Sequence, residues 1–320
     1  MRKIIVITGP TAVGKTEYAI KIASNLGGEI VSCDSMQLYK YMDIGSAKPT
    51  VEERNQVRHY LVDLIDPGEP FSVAKYQKLA KDAIEDIFSR DKIPVIAGGT
   101  GLYLNSLLYE MNFAETPSDN KFRDEMYELA EKQGATALHN KLKEIDLKAA
   151  MRIHPNNIKR VIRALEAAHH GCSVKNFNHV KSKTREYDAI LLGLTMDRKK
   201  LYDRINKRVD ILMEKGLENE VKALKKMGFT TEDIAMKGIG YKELLDYLSG
   251  MYNITEAVEK IKSNTRHYAK RQMTWFKKYE DMKWFDLSDV TDSEQAALRM
   301  TEWIRSEEHT SELQSLGAIS

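Results

Sequence analysis

The strongest constraint in the sequence is a glycine-rich loop at residues 9–16, GPTAVGKT, which comprises Gly9, Pro10, Thr11, Ala12, Val13, Gly14, Lys15 and Thr16. It lies between an apolar, β-branched stretch (residues 3–8) and a helix-periodic stretch (residues 17–26). This is the complete phosphate-binding P-loop pattern in its required strand-to-helix context, which disfavours a glycine turn without a ligand. Backbone N–H groups, the helix N-terminus and Lys15 would bind phosphate, and Thr16 would reach Mg²⁺.

The rest of the apolar pattern predicts an α/β fold. Strands are predicted at residues 29–33, 60–65, 93–97 and 189–196, and helical segments such as residues 73–89 alternate with them. This alternation indicates a mostly parallel sheet with helices on both faces. Together with the P-loop, it predicts a P-loop NTPase-like sheet.

Residues 113–187 interrupt this pattern with charged, helix-periodic sequence. We therefore expect a catalytic core at residues 1–112 and 188–304, a helical insertion at 113–187, and an almost wholly helical region after Met196. Residues 305–315, RSEEHTSELQS, correspond to an in-frame translation of a sequencing-adapter DNA. We expect residues 305–320 to be a non-native tail, although a natural helix end of this composition is the alternative.

Composition excludes several classes of protein. Two cysteines, Cys33 and Cys172, are too few for a disulfide framework, and no Cys/His spacing resembles a zinc site, so oxygen ligands are expected for any metal. The longest apolar runs are too short to cross a bilayer, and no leader-like segment precedes the first strand. We expect a cytoplasmic, monomeric enzyme without membrane contact.

Two segments at strand ends carry candidate site residues. The second predicted strand ends in VSCDS, which places Asp34 at the edge of the sheet where ligands bind in open parallel sheets. Asp34 could be a metal ligand, an N-cap or a general base. Gly98-Gly99-Thr100-Gly101 follows another strand; its glycines favour a tight turn, and Thr100 is its candidate polar contact.

A basic stretch lies near the C-terminus. Seven Lys and Arg and no Asp or Glu occur in residues 260–278, although the net charge of the chain is only +2. Ile261, Tyr268 and Trp275 recur every seven residues, so one helix face can pack on the core. The other surface carries Lys262, Arg266, Lys270, Arg271, Lys277 and Lys278. A solvated helix face is the ordinary explanation, but the absence of acids favours polyanion binding.

Several blocks together resemble the tRNA dimethylallyltransferase family, also called tRNA isopentenyltransferases or IPP transferases. They are GPTAVGKT, Asp34-Ser35 followed by QLYKYMDIGSAK, AGGTGLY at 97–103, RIHPNNIKRVIRALE at 152–166, GIGY at 238–241 and KRQMTW at 270–275. The resemblance covers about residues 3–285. The zinc finger that resembles an appendage of eukaryotic members is absent, which points to the bacterial type.

The resemblance implies a reaction. The P-loop would bind dimethylallyl diphosphate, with Thr11, Ala12 and Val13 contacting the donor and Lys15, Thr16 and Mg²⁺ stabilising the departing diphosphate. Asp34 would be the general base for the exocyclic amine of the adenosine 3′ of the anticodon. Arg208 would contact the diphosphate, although a surface pair with Arg204 explains it equally well.

The resemblance also implies contacts to the tRNA anticodon stem-loop, gripped by the insertion and the basic helix from two sides. The matching positions are Asp34, Ser35, Met36, Gln37, Thr100, Arg123, Lys159, Arg160, Arg163, Lys237, Tyr241, Lys242, Lys270, Arg271, Gln272, Trp275 and Lys277. Two other functions fit the P-loop: a small-molecule or nucleotide kinase, which needs no basic helix, and a non-catalytic RNA-binding module with a vestigial loop.

Overall fold

The computed structural model describes residues 2–111, 119–171 and 182–317, with side chains as far as Glu307. The strands are β1 (Arg2–Thr8), β2 (Glu29–Ser32), β3 (His59–Tyr60), β4 (Pro94–Gly98), β5 (Tyr187–Thr195) and β6 (Lys283–Asp286). The helices are α1 (Lys15–Leu26), α2 (Val51–Gln56), α3 (Val73–Phe88), α4 (Gly101–Leu108), α5 (Asn120–Ile145), α6 (Leu147–Arg152), α7 (Ile158–His169), α8 (Arg198–Glu214), α9 (Leu217–Lys226), α10 (Tyr241–Leu248), α11 (Ile254–Phe276) and α12 (Ser293–Gly317).

The six strands form one sheet in the order β3-β2-β4-β1-β5-β6, and every neighbouring pair is parallel. The central strand β1 is buried on both faces, because side chains of successive residues point to opposite sides of a sheet. Ile5 and Ile7 pack with residues of α1, α8 and α12, whereas Ile4 and Val6 pack with residues of α3 and α4. The α/β prediction is confirmed.

Two parts of the predicted sheet are wrong. Only His59 and Tyr60 pair with β2, whereas a strand was expected at residues 60–65. Leu61 and Asp63 have φ angles of 60° and 57°, which no extended strand accommodates. The sixth strand, β6, was missed because residues after Met196 were expected to be almost wholly helical; it is a four-residue edge strand beside β5.

The chain forms two compact units, one comprising residues 1–109 and 183–320 and the other residues 110–182. The second unit contains α5, α6 and α7 and has its own core, which includes Leu138, Leu142, Val161 and Leu165. Gly134 adopts a φ of 84° inside α5 and divides it into two helical stretches.

Helices α8 to α11 add a third apolar cluster to the first unit, in which Val209, Leu217, Leu244 and Ile261 are buried. The last helix, α12, packs on α1 through buried side chains that end at Ile304. Within residues 2–111, 119–171 and 182–317, no helix has the length and apolar character required to cross a membrane.

Candidate active site

The P-loop connects β1 to α1 at the carboxyl edge of the sheet. Gly14, with a φ of 113°, precedes the first residue of α1, and Ala12 is also left-handed with a φ of 66°. Val13 is fully buried in the core, so only its backbone can face a ligand. The Lys15 ammonium donates a hydrogen bond of 2.9 Å to the Pro10 carbonyl oxygen. Lys15 is therefore held against the loop in which phosphate binding is predicted.

Asp34 follows β2 at the same edge. Its Oδ1 accepts a 2.9 Å hydrogen bond from the Met36 N–H, so one carboxylate oxygen stabilises the following turn. Within the described part of the chain, Oδ2 accepts no protein hydrogen bond. Asp34 caps no helix, because the residues that follow it form a turn, and its Oδ1 closes that turn.

The loop after β4 is tied to this turn. The Thr100 N–H donates to the Cys33 carbonyl oxygen over 3.0 Å, and Thr100 Oγ1 accepts from the Ser35 N–H over 3.0 Å. A Cβ atom at Gly98 would lie 2.1 Å from the Cys33 carbonyl oxygen, so this close approach requires glycine. Thr100 fixes Ser35 and thereby the position of Asp34.

An open cleft of roughly 380 Å³ lies beside these loops. It is lined by Lys15, Thr16, Ala19, Ile30, Ser32, Asp34, Gln37, Pro49, His59, Ala97 and Gly98. Burial lowers the pKa of Lys15 to about 8, while Asp34 raises it and Arg208 lowers it. Lys15, Asp34 and Arg208 are therefore close enough to affect one another electrostatically.

Arg208 lies on α8 and is half-buried. Burial lowers the pKa of its guanidinium; Asp34 raises that pKa and Arg204 lowers it. Arg204 itself is exposed. Arg208 is therefore close enough to Lys15, Asp34 and Arg204 to interact electrostatically with each, and its contact with a diphosphate stays a prediction.

Two polar residues of the cleft, Ser32 and His59, were not predicted as site residues from the sequence. Ser32 Oγ donates to Gln37 Oε1 over 2.9 Å, and Gln37 Nε2 donates to the Ala47 carbonyl oxygen over 3.4 Å, so Ser32 orients Gln37. His59 Nδ1 lies 2.7 Å from the Val57 carbonyl oxygen. The strand expected at residues 60–65 placed His59 outside the sheet, whereas it begins β3.

The basic helix α11 separates into two faces. Ile261, Ala269, Gln272 and Phe276 are buried, whereas Lys270, Arg271, Lys277 and Lys278 are exposed and Trp275 is half-buried. Lys262 forms ion pairs with Asp210 and Glu259. Its charge is therefore neither fully solvated nor available to a polyanion. Exposed cations for a polyanion thus remain at the C-terminal half of α11.

The GIGY segment contacts the segment after Asp34. A Cβ at Gly238 would lie 2.5 Å from Met36 Cε, so Met36 packs closely on this turn. Tyr241 is buried, with 1% exposure, and its hydroxyl donates to Glu220 over 2.8 Å. Lys237 and Lys242 are exposed. Of these positions, the two lysines present charged groups to solvent, whereas Tyr241 has an internal role.

In the unit at residues 110–182, α7 exposes Lys159, Arg160 and Arg163. Arg123 differs from them, because its guanidinium forms an ion pair and a hydrogen bond with the buried carboxylate of Glu166. Three of the four predicted RNA contacts in this unit are therefore cations exposed at a surface, and Arg123 is held by a structural partner.

The cleft has few side chains that could bind a metal, which suits a cation that takes most of its ligands from water and substrate. No group of three or more His, Cys, Asp or Glu side chains capable of holding a metal occurs in the described ranges. The cleft instead offers the hydroxyl of Thr16 and the carboxylate of Asp34. Mg²⁺ bound to phosphate commonly has only one or two protein ligands, so these residues fit it.

Comparison with known proteins identifies the family of the chain. The sequence model of the IPP transferase family matches residues 37–279. The chain belongs to this family. It is 51% identical to the tRNA dimethylallyltransferase of Acetivibrio thermocellus over 93% of this chain and 96% of that protein. It is 52% identical to the tRNA dimethylallyltransferase of Clostridioides difficile over 90% of this chain and 93% of that protein.

Solved structures of the family share the fold. The tRNA isopentenylpyrophosphate transferase of Bacillus halodurans is 43% identical with a TM-score of 0.75, and the alignment covers 98% of this chain and all of that one. A eukaryotic dimethylallyltransferase described as acting on tRNA is 29% identical with a TM-score of 0.79, over 96% of this chain and 80% of that one. The resemblance inferred from the motifs is confirmed.

Proposed function

We propose that this IPP transferase family member transfers a dimethylallyl group from dimethylallyl diphosphate to the exocyclic amine of the adenosine 3′ of the anticodon in tRNA. The observation that carries the proposal is the convergence of Lys15, Arg208 and Asp34 at the carboxyl edge of the sheet. Two cations suit a diphosphate, and the carboxylate suits a group that must lose a proton. The names of the relatives support the same reaction.

In this reaction the bond between the allylic carbon and the diphosphate oxygen breaks, and a bond from that carbon to the adenine nitrogen forms. Loop amides, Lys15 and Arg208 stabilise the negative charge that develops on the departing diphosphate. Thr16 would hold Mg²⁺, which when bound neutralises further charge on the phosphates.

Asp34 removes the proton that the alkylated amine must lose. The hydrogen bond from the Met36 N–H to Oδ1 fixes the carboxylate, so Oδ2 is the oxygen available to accept that proton. Thr100 contributes by holding Ser35, the residue that follows the base.

The adenine must leave its stack to reach a donor bound at this edge. The exposed cations of α11 and of α7 suit the phosphates of an anticodon stem-loop. Both sets come from segments that resemble the family's RNA-contact blocks.

The test is transfer of radiolabelled dimethylallyl diphosphate to bulk tRNA by the purified protein. We expect label in tRNA, released as prenylated adenosine on digestion, and stoichiometric diphosphate. ATP hydrolysis stimulated by a small metabolite, without label in tRNA, would instead indicate a kinase. tRNA binding without turnover with any donor would indicate a non-catalytic RNA-binding module.

A further inference from the structure

Gln272 on α11 has an environment that its neighbours in the sequence do not share. Lys270 and Arg271 are exposed, whereas Gln272 is only 5% exposed. Its Oε1 accepts a hydrogen bond from the Thr11 N–H over 2.8 Å, and its Nε2 donates to the Gly99 carbonyl oxygen over 2.9 Å. One side-chain amide therefore joins the P-loop, the loop after β4 and the basic helix.

The surrounding structure requires both an acceptor and a donor from the side chain at position 272. The Thr11 N–H is a donor and the Gly99 C=O is an acceptor, so a carboxylate or an apolar side chain at position 272 would leave one or both unmatched. A Cβ at Gly99 would lie 2.3 Å from Gln272 Nε2, and a Cβ at Gly101 would lie 2.4 Å from Trp275 Cδ1. The loop after β4 is thus shaped to receive this face of α11.

We propose that Gln272 is a positioning residue that couples RNA binding on α11 to donor binding in the P-loop. The proposal rests on the proposed function, in which the exposed face of α11 contacts tRNA. Any shift of α11 when Lys270 and Arg271 engage phosphates moves Gln272, and with it the Thr11 backbone at the entry of the loop. Lys15 lies near the same point, 3.6 Å from a Cβ placed on Gly99.

Such a link makes the two substrates bind cooperatively. tRNA bound to α11 would restrict the motion of the loops that contain Thr11 and Gly99. Donor binding then costs less conformational entropy, because these loops are already ordered. The coupling must be reciprocal, because each ligand changes the affinity for the other by the same factor. Gln272 thereby contributes more to the affinity for each substrate when the other is bound.

The test measures binding of a non-transferable thiolo analogue of dimethylallyl diphosphate to the full chain, with and without saturating tRNA. For the wild type we expect tRNA to tighten analogue binding by at least about 5-fold, the lower end of ordinary coupling. Gln272→Met, which keeps side-chain length but removes both hydrogen bonds, should bring this factor close to 1.

Gly99→Ala attacks the same link from the other side and leaves Gln272 in the sequence, so it gives a second variant should Gln272→Met fold poorly. Gln77→Met is the matched control. Gln77 Nε2 also donates to a carbonyl oxygen, that of Ser106, over 2.6 Å, but on α3 and away from the P-loop. It should lower the melting temperature and leave the coupling factor unchanged.

An unchanged coupling factor in Gln272→Met, or a loss of analogue affinity that is equal with and without tRNA, overturns the proposal. No coupling in the wild type overturns it as well. Prenyl transfer by the wild type is measured in parallel, so failure of the proposed function is seen separately as the absence of labelled tRNA.

Discussion

The Asp34 side chain both stabilises a turn and lies near the two cations of the predicted site. Its Oδ1 holds the Met36 N–H, while Lys15 and Arg208 lie close enough for each of their pKa values to be raised by its charge. The base is required when the amine is alkylated, because the amine then becomes much more acidic and must lose a proton.

We predict that Asp34→Ala lowers turnover by about 100-fold or more and changes tRNA affinity by no more than a few fold, as loss of a general base requires. Asp34→Asn separates the two roles, because its amide oxygen can still accept from the Met36 N–H but cannot act as a base. Single-turnover rates measure the effect. If Asp34→Asn transfers label at a near-normal rate, the carboxylate serves only to close the turn at Met36.

The lowered pKa of Lys15 predicts a pH dependence of donor capture. Burial brings this pKa to about 8, so the ammonium of the free enzyme loses its proton as the pH rises through that value. kcat/KM for the donor should therefore fall above a pH of about 8, because neutral Lys15 cannot pair with diphosphate.

At saturating donor the bound diphosphate raises the pKa of Lys15, so kcat should be steadier over the same range. Lys15→Met should give a lower kcat/KM without this fall. A wild-type kcat/KM that stays constant up to a pH of about 9.5 would show that Lys15 is not the group that titrates.

The structure places Lys15, Thr16, Asp34 and Thr100 at one edge of the sheet, and their roles stay predictions. The sequence pattern predicted this location because the carboxyl ends of parallel strands meet there. It could not distinguish surface from interior among matched positions. Tyr241 and Gln272 both lie in segments expected to contact RNA, yet both are buried. Their burial depends on Glu220, Thr11 and Gly99, which are distant in sequence and carry no signal of the contact.

At the scale of elements, the segment at residues 37–48 is held without regular secondary structure of its own. Glu220 on α9 accepts hydrogen bonds from the N–H groups of Asp43, Ile44 and Gly45 over 2.8, 2.7 and 3.0 Å. The Tyr241 hydroxyl donates to the same carboxylate. The Lys48 ammonium, almost fully buried, pairs with Asp43 and Asp63. These contacts fix the segment that contains Gln37.

We predict that Glu220→Gln destabilises the fold by about 1.5 to 3 kcal/mol, the range for hydrogen bonds to a charged group. The amide keeps one acceptor but turns a donor toward backbone N–H groups. Thermal or urea unfolding measures the change. Glu218→Gln, on the same helix, removes only a surface pair with Lys222 and should stay within about 0.5 kcal/mol. Equal effects of the two variants would contradict the anchoring role of Glu220.

The elements that the sequence predicted well are those whose pattern is local. β1, β2, β4 and β5 are apolar runs buried on both faces, and α1 and α3 show clear helical periodicity. β3 and β6 have two and four residues, and neither is fully buried. Short edge strands form because a neighbouring strand offers hydrogen-bond partners. The residues of the edge strand itself do not reveal which strand will lie beside it.

For the whole molecule, the net charge of +2 conceals how the cations are placed. Many lysines and arginines form ion pairs with carboxylates of the protein itself, among them Lys48, Arg90, Arg123 and Lys262. Lys270, Arg271 and Lys277 in one unit and Lys159, Arg160 and Arg163 in the other are exposed. Attraction to RNA should therefore come from these few positions, not from the total charge.

The salt dependence of tRNA binding tests whether these exposed cations contact the RNA. Each phosphate neutralised by a protein cation contributes roughly 0.7 to 0.9 to the slope of log affinity against log salt. Replacing Lys270 and Arg271 together by alanine should weaken tRNA binding and lower that slope by about one to two units, while binding of the donor alone stays unchanged. Affinities are measured by filter binding or fluorescence anisotropy across a salt series.

The matched control is Lys225→Ala with Lys226→Ala, which removes the same charge from exposed positions on α9. Because these lysines lie outside the expected RNA-contact segments, the slope should remain that of the wild type. If the Lys270 and Arg271 variant keeps both the affinity and the slope, this face of α11 is merely solvated. The phosphate contacts would then have to come from α7, where replacing Arg160 and Arg163 should lower the slope instead.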